Sequence, residues 1–247
     1  MAKPTKPRPE TERAQPAPAL PIAGARISRR AADRLRAGHV WVYASDLEPV
    51  ILPEGESVPA LVQVADGRGL LLGTALYSPT SQIALRMVAR EAIDEPQWLE
   101  LLERRLRRAI DVRFMMLSSL AGESDSCRLC FSEADEAPGL VIDKYHNLVV
   151  LQLLTKGLDT AAVRETVVRV LREWVGGDSG VAKKTGGLAA IWERPDPRMR
   201  ELEGLPAPAV GPLWAADAQS PETQTQFRLN GLSFFYDANA GQKTGAF

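Results

Sequence analysis

Two cysteines, two histidines and no long apolar run restrict what this chain of 247 residues can do. Cys127 and Cys130 make a lone C-x-x-C. A structural zinc takes about four ligands, and the remaining candidates, His39 and His146, stand in separate contexts. A thioredoxin-type pair sits where a strand meets a helix, whereas here Arg128-Leu129 lead into Phe131-Ser132-Glu133 and then a loop. The pair is therefore read as structural, Cys130 as a small buried apolar residue and Cys127 as incidental, with no metal expected. The chain has no Gly-x-Ser-x-Gly elbow, and two histidines offer no convincing triad partner. Gly67-Arg68-Gly69 lacks a glycine at position 72 and no helical pattern follows, which favours a hairpin over a dinucleotide loop. Gly241-Gln242-Lys243-Thr244 ends like a phosphate loop, but Gln242 stands where that loop needs glycine. No apolar run approaches the roughly 18 residues of a membrane-spanning helix. Met1 to Pro21 alternates proline with Lys, Arg and Glu and has no apolar stretch. It is expected to be a disordered basic tail rather than a secretory signal, and the expected compartment is the cytoplasm.

What is present is an ordinary globular composition, 45% hydrophobic and 25% charged, on a length that suggests two compact units. The net charge of −1 hides an uneven distribution. Residues 1–40 hold nine Lys or Arg against three acids, and residues 41–100 hold three bases against nine acids. The basic stretch Arg26, Arg29, Arg30, Arg34 and Arg36 is either a phosphate-facing surface or a solvated helix face.

Periodicity divides the rest. Ala25 to Ser28 is a short strand, and Ser28 is placed to cap a helix over Arg29 to Ala37 that Gly38 ends. Trp41-Val42-Tyr43 alternates as a strand, and three apolar runs follow over 60–65, 69–77 and 83–89, the first two joined at Asp66-Gly67. A small β-barrel accounts for residues 22–92. One long helix connects over 93–120, with Trp98, Leu102, Leu106, Ala109, Ile110 and Leu117 near one face. Its Arg104, Arg105, Arg107 and Arg108 are read as pairs with Glu100, Glu103 and Asp111, or else as a nucleic-acid contact. Residues 121–237 form a small α/β unit. Strands over 139–143 and 148–154 precede a helix over 159–175. A strand over 187–193, a short helix start over 195–202, a Pro/Ala linker over 206–221 and a hairpin across Asn230-Gly231 follow. Glu133, Asp135 and Glu136 are either an acid–base cluster or a capped turn before Pro138-Gly139.

Several of these segments together resemble one family. Glu133-Ala-Asp135-Glu-Ala-Pro138-Gly139-Leu140-Val-Ile-Asp143-Lys-Tyr145 is similar to a signature of bacterial large-subunit ribosomal RNA methyltransferases, a class I group with an N-terminal PUA domain. Glu193-Arg194 before Asp196, then Arg200 and Glu203-Gly204-Leu205, resemble a second run of that family. Asn230-Gly231, Asp237 and Gly241-Gln-Lys-Thr-Gly245-x-Phe247 resemble a third, and Gly38-His-Val-Trp41-Val-Tyr43 with the barrel strands resembles its PUA domain. Two positions depart: Leu229 stands where the family prefers Glu, and Glu136-Ala137 replaces Gly-Leu.

The resemblance implies a mixed α/β protein with three parts. These are a PUA-like RNA-binding barrel, a strand-strand-helix-strand-strand α/β domain, and a Rossmann-like methyltransferase domain that binds S-adenosylmethionine. That third domain is expected to start at 238–247 and to be absent beyond Phe247, a C-terminal truncation. It implies ribosomal RNA as partner, with Arg26, Arg29, Arg30, Arg34, Arg36 and Trp41 on the RNA. Gln242, Lys243, Thr244 and Gly245 are expected at the mouth of the cofactor pocket. A cytosine-C5 reaction would take its nucleophile from beyond Phe247, so none of the residues present is expected to be catalytic. A guanine-N7 branch and a stand-alone RNA-binding module are the alternatives. No membrane partner is expected, and a homodimer is compatible with the sequence.

Overall fold

The computed structural model describes residues 24–50, 60–119, 122–177, 185–206 and 211–240. The expected N-terminal tail and residues 241–247 lie outside them. The first unit is a five-stranded sheet in the order β1-β3-β4-β5-β2, built from Gly24–Ile27, Leu61–Asp66, Leu71–Tyr77, Ile83–Ala89 and Trp41–Tyr43. β1 runs parallel to β3, and the other neighbours are antiparallel. An Ile27–Leu47 bridge brings the chain after β2 back to β1, so the sheet curls toward closure. Helix α1 (Arg29–Arg36) begins where the Ser28 hydroxyl accepts the Ala31 amide at 3.2 Å, relieving one orphan donor of the first turn. It buries Ala31, Ala32 and Leu35 against Val42, Val64 and Leu85.

Helix α2 (Glu95–Ser119) leads into the second unit. Its apolar face, Trp98, Leu102, Leu106, Ile110, Phe114 and Leu117, is buried as its period demands. The second sheet has the order β10-β9-β8-β7-β6. Its strands are β6 (Ser126–Phe131), β7 (Leu140–Tyr145), β8 (Leu148–Leu153), β9 (Ala190–Glu193) and β10 (Trp214–Ala215). Helix α3 (Ala161–Trp174) makes the crossover that lets β9 lie parallel to β8. Helix α4 (Pro197–Leu202) follows, with Asp196 capping it. Helices α2 and α3 share a core with one face of the sheet. The hairpin β11 (Gln224–Leu229) and β12 (Leu232–Asp237) covers the other. β7 is accordingly buried at every position.

Two readings are corrected. The C-x-x-C segment, not read as a strand, forms β6, paired antiparallel with β7, before the chain enters the turn at Ser132–Asp135. Among the described residues the sheet-forming part of the unit therefore reads strand-strand-strand-helix-strand-helix-strand rather than strand-strand-helix-strand-strand. The Pro/Ala linker contains β10. The hairpin across Asn230-Gly231 forms as expected, as a two-stranded sheet.

The barrel and the α/β unit meet along a packed seam. The space a Cβ would need at Gly157 is taken by Leu76 Cβ at 2.7 Å and the Ala60 carbonyl at 3.0 Å. Only glycine lets the turn before α3 approach β4 this closely.

Candidate nucleic-acid interface

The basic residues singled out by sequence lie on β1 and α1, and most are already committed to carboxylates. Arg34 Nη2 lies 2.6 Å and Arg30 Nη2 3.5 Å from Asp46 Oδ2. Arg36 reaches Asp66 at 2.5 Å and Asp33 at 3.2 Å, and Arg29 approaches Asp33 at 3.9 Å. The Ser28 hydroxyl, then Arg30 and Arg34, hold the Asp46 carboxyl below the usual carboxylate range against the opposing effect of burial. Burial alone would raise Asp66, but Arg36 and the amides of Leu70 and Arg68 outweigh it and lower it. Arg26 is exposed and has no ion pair among the described residues, while the Arg29 and Arg30 side chains stay 93% and 74% exposed. Thus Arg26, Arg29 and Arg30 are presented to solvent, and Arg34 and Arg36 brace the helix to the barrel.

Trp41 lies at the edge of the same surface. β2 is an edge strand, and its alternation buries Val42 while leaving Trp41 and Tyr43 exposed on one side. The Arg34 guanidinium stands 5.6 Å from the Tyr43 ring centre, a cation–π arrangement. Trp41 Nε1 donates to Glu133 Oε1 at 2.9 Å, which fixes the indole against the second unit. Exposed aromatic faces beside arginines are what single-stranded RNA uses for stacking and phosphate contact. Sequence reasoning missed Tyr43, although its alternation with Trp41 was the available signal.

The other constellations resolve into structure. Glu133, Asp135 and Glu136 belong to a 3-10 turn and its end, and each has a partner outside it or along it. Arg113 holds Asp135 through two bonds of 2.7 Å, and Arg105 Nε lies 3.1 Å from Glu136 Oε2. The arginines of α2 pair mostly across elements: Arg105 with Glu136, and Arg107 with Glu173 as well as Glu103. Burial pushes both thiols up to about 12, so neither cysteine is poised as a nucleophile. Among the described residues no group of three or more His, Cys, Asp or Glu is arranged to hold a metal.

Gln242, Lys243, Thr244 and Gly245 lie outside the described residues. The turn before α3 is the place where a strand-to-helix glycine could approach a cofactor, but the backbone at Gly157 closes on β4 instead.

Residues 25–90 match the family model of a PUA-like domain. Over 217 residues the chain is 33% identical to the ribosomal RNA large subunit methyltransferase I of Pseudoalteromonas translucida, covering 85% of this chain and 48% of that protein. The chain spans about half the length of the curated relatives it matches. Among solved structures, a candidate SAM-dependent methyltransferase from Streptococcus mutans aligns over 92% of this chain and 51% of its own, with a TM-score of 0.64 and 16% identity. A candidate methyltransferase complexed with SAH aligns over 92% of this chain and 50% of its own, with a TM-score of 0.63 and 15% identity. At those identities the likeness is one of fold.

Proposed function

We propose that this chain is the RNA-binding portion of an S-adenosylmethionine-dependent methyltransferase acting on 23S ribosomal RNA in the cytoplasm, with cytosine C5 as the methylated atom. One observation carries the reading. The segment that matches a PUA-like domain carries both the solvent-facing Arg26, Arg29 and Arg30 and the exposed rings of Trp41 and Tyr43, the latter beside Arg34. Arginines supply the sequence-independent grip on phosphates, and the rings supply stacking for unpaired bases. The name of the relative matched over 85% of the chain supports the ribosomal substrate and the methyl transfer. The structure complexed with SAH supports the cofactor. The cofactor supplies the methyl group. In this reading Gln242, Lys243, Thr244 and Gly245 approach it, while the described residues bind and orient RNA. Among the described residues no helix is long and apolar enough to cross a membrane. A homodimer would form through β12, an edge strand whose Leu232, Phe234 and Phe235 are exposed and uncharged. Light scattering after gel filtration tests that part.

Titration of a fluorescent 23S ribosomal RNA fragment at several salt concentrations tests the main reading. Wild type should bind with an affinity that falls steeply with salt. The triple variant Arg26→Ala, Arg29→Ala, Arg30→Ala should bind at least tenfold more weakly and reduce the salt slope by about one for each phosphate no longer neutralised. Equal affinity and slope for the two proteins would remove this surface from the reading.

A further inference from the structure

The seam between the two units contains a pocket of about 390 Å³. Val40 and Met87 of the barrel form one apolar wall, and Leu101 of α2 and Pro138 form the other. The volume lies within the range of about 300–1,000 Å³ in which proteins hold small organic groups. Its polar lining is asymmetric. Three carboxylates, Glu91, Glu133 and Glu136, line it. Glu136, its side chain 64% exposed, stands at the mouth, held by Arg105, whose Nε lies 3.1 Å from Glu136 Oε2 and whose Nη1 donates to the Glu136 carbonyl at 2.8 Å. Arg105 Nη2 also donates to the Val88 carbonyl at 2.8 Å, so the guanidinium ties both walls and holds the Glu136 carboxylate at the mouth between them. Glu136 Oε1 has no hydrogen bond or ion pair among the described residues. Arg90, on the barrel side, is exposed, donates one Nη1 bond of 2.7 Å to the Leu35 carbonyl and has no carboxylate partner among the described residues.

We propose that this seam pocket takes one unpaired nucleobase that carries an exocyclic amine, with Glu136 Oε1 accepting from the amine, the apolar walls enclosing the ring, and Arg90 meeting the adjoining phosphate. The inference rests on the RNA-binding reading above. The three carboxylates that line the pocket repel phosphate, and Arg90 at its rim attracts it. Of the parts of a nucleotide, only the base suits the interior. Glutamate accepts from the N4 amine of cytosine, and uracil offers a carbonyl oxygen at the same position. The pocket therefore discriminates between two pyrimidines of equal size. It adjoins the exposed Trp41, which Glu133 holds at the same seam. A strand lying across Trp41 and Tyr43 thus has one base directed between the units, which gives the turn 132–138 a role in RNA reading in addition to its structural one.

The test compares oligo(C) and oligo(U) decamers by fluorescence anisotropy at low salt. Wild type should bind oligo(C) about tenfold more tightly than oligo(U). Glu136→Ala should bring oligo(C) to the oligo(U) level and leave oligo(U) unchanged, and Glu136→Gln should fall between. The triple arginine variant should weaken both oligomers alike. Equal wild-type binding of the two oligomers, or an equal loss of both in Glu136→Ala, overturns the pocket and leaves the barrel surface standing. If neither oligomer nor the ribosomal fragment binds wild type, the RNA-binding reading fails and the pocket with it.

Discussion

At the scale of single residues, Lys144 is the charge most at odds with its surroundings. It is fully buried on β7, lacks a carboxylate partner among the described residues, and directs Nζ at the carbonyls of His146, Thr185 (2.7 Å) and Gly187 (3.2 Å). Burial lowers its pKa from 10.5 to about 8. Between those values the unfolded chain holds the proton that the folded chain has released, so this group makes stability rise with pH from about 8 to 10.5. The buried thiols act in the opposite sense. Their pKa values are raised from 9.0 to about 12, and their contribution is lost as pH rises through that interval. Comparison with Lys144→Met isolates the lysine. The stability of wild type relative to the variant, from urea melts, should increase across pH 8–10.5 at about 1.4 kcal/mol per pH unit. A difference that stays flat would show that Lys144 ionises normally. Such a residue was illegible in the sequence, where Asp143-Lys144-Tyr145 reads as an ordinary strand end. Its burial comes from the 185–187 turn closing over β7 on the face that Leu140 and Ile142 share, opposite the hairpin.

Among elements, the β11–β12 hairpin shows how a locally legible unit acquires its place only through packing. Asn230-Gly231 between alternating runs announces the hairpin, and both residues have positive φ, as such a turn requires. Nothing local says that it lies across the second sheet. Tyr236 stacks on Tyr145 with ring centres 3.8 Å apart and planes inclined by 7°, while Phe227 meets Tyr145 edge-on at 5.1 Å. The segment before β6 secures the other end. Asp125 Oδ1 accepts the Arg228 amide at 2.8 Å, and the Ser124 hydroxyl accepts the Asn230 amide at 2.9 Å. Phe227 is almost fully buried in this cluster. Phe227→Ala should cost about 3–5 kcal/mol and raise amide exchange across 224–237 more than in α2 or α3. Uniform acceleration over the whole chain would mean that the hairpin has no separate opening.

For the molecule as a whole, the question is what holds the barrel to the α/β unit. Arg86 of β5 and Glu203, just after α4, are both nearly buried and lie 3.6 Å apart. Glu203 Oε2 also accepts the Lys156 amide at 2.9 Å. Around them Arg200 approaches Asp159 and Glu193, and Arg164 binds the same two acids. The run Arg200, Glu203, Gly204, which sequence resemblance marked as a signature, thus belongs to the seam. Breaking a buried pair from one side strands the other charge, a loss of about 3–5 kcal/mol. Glu203→Ala should therefore lower the melting temperature and split a single calorimetric transition into two. Arg86→Met with Glu203→Leu should recover much of the loss, since neither charge is then left alone. One unsplit transition in Glu203→Ala would show that the units are joined chiefly by apolar contact.

By itself the sequence determined the local elements: the Ser28-capped helix, the barrel strands, the apolar stripe of α2 and the Asn-Gly hairpin. Each follows from periodicity and turn chemistry within a few neighbouring residues. It also marked the arginines and Trp41 of the candidate interface, because charge and alternation are visible along the chain. Tertiary structure alone decided which of those arginines stay free, since Asp46 and Asp66 reach Arg34 and Arg36 from distant positions. It alone turned the C-x-x-C into an inert strand, buried Lys144, and opened a pocket between β5 and the 132–138 turn. Those outcomes depend on surfaces far apart in sequence being brought within a few ångströms, and no local pattern encodes such distances.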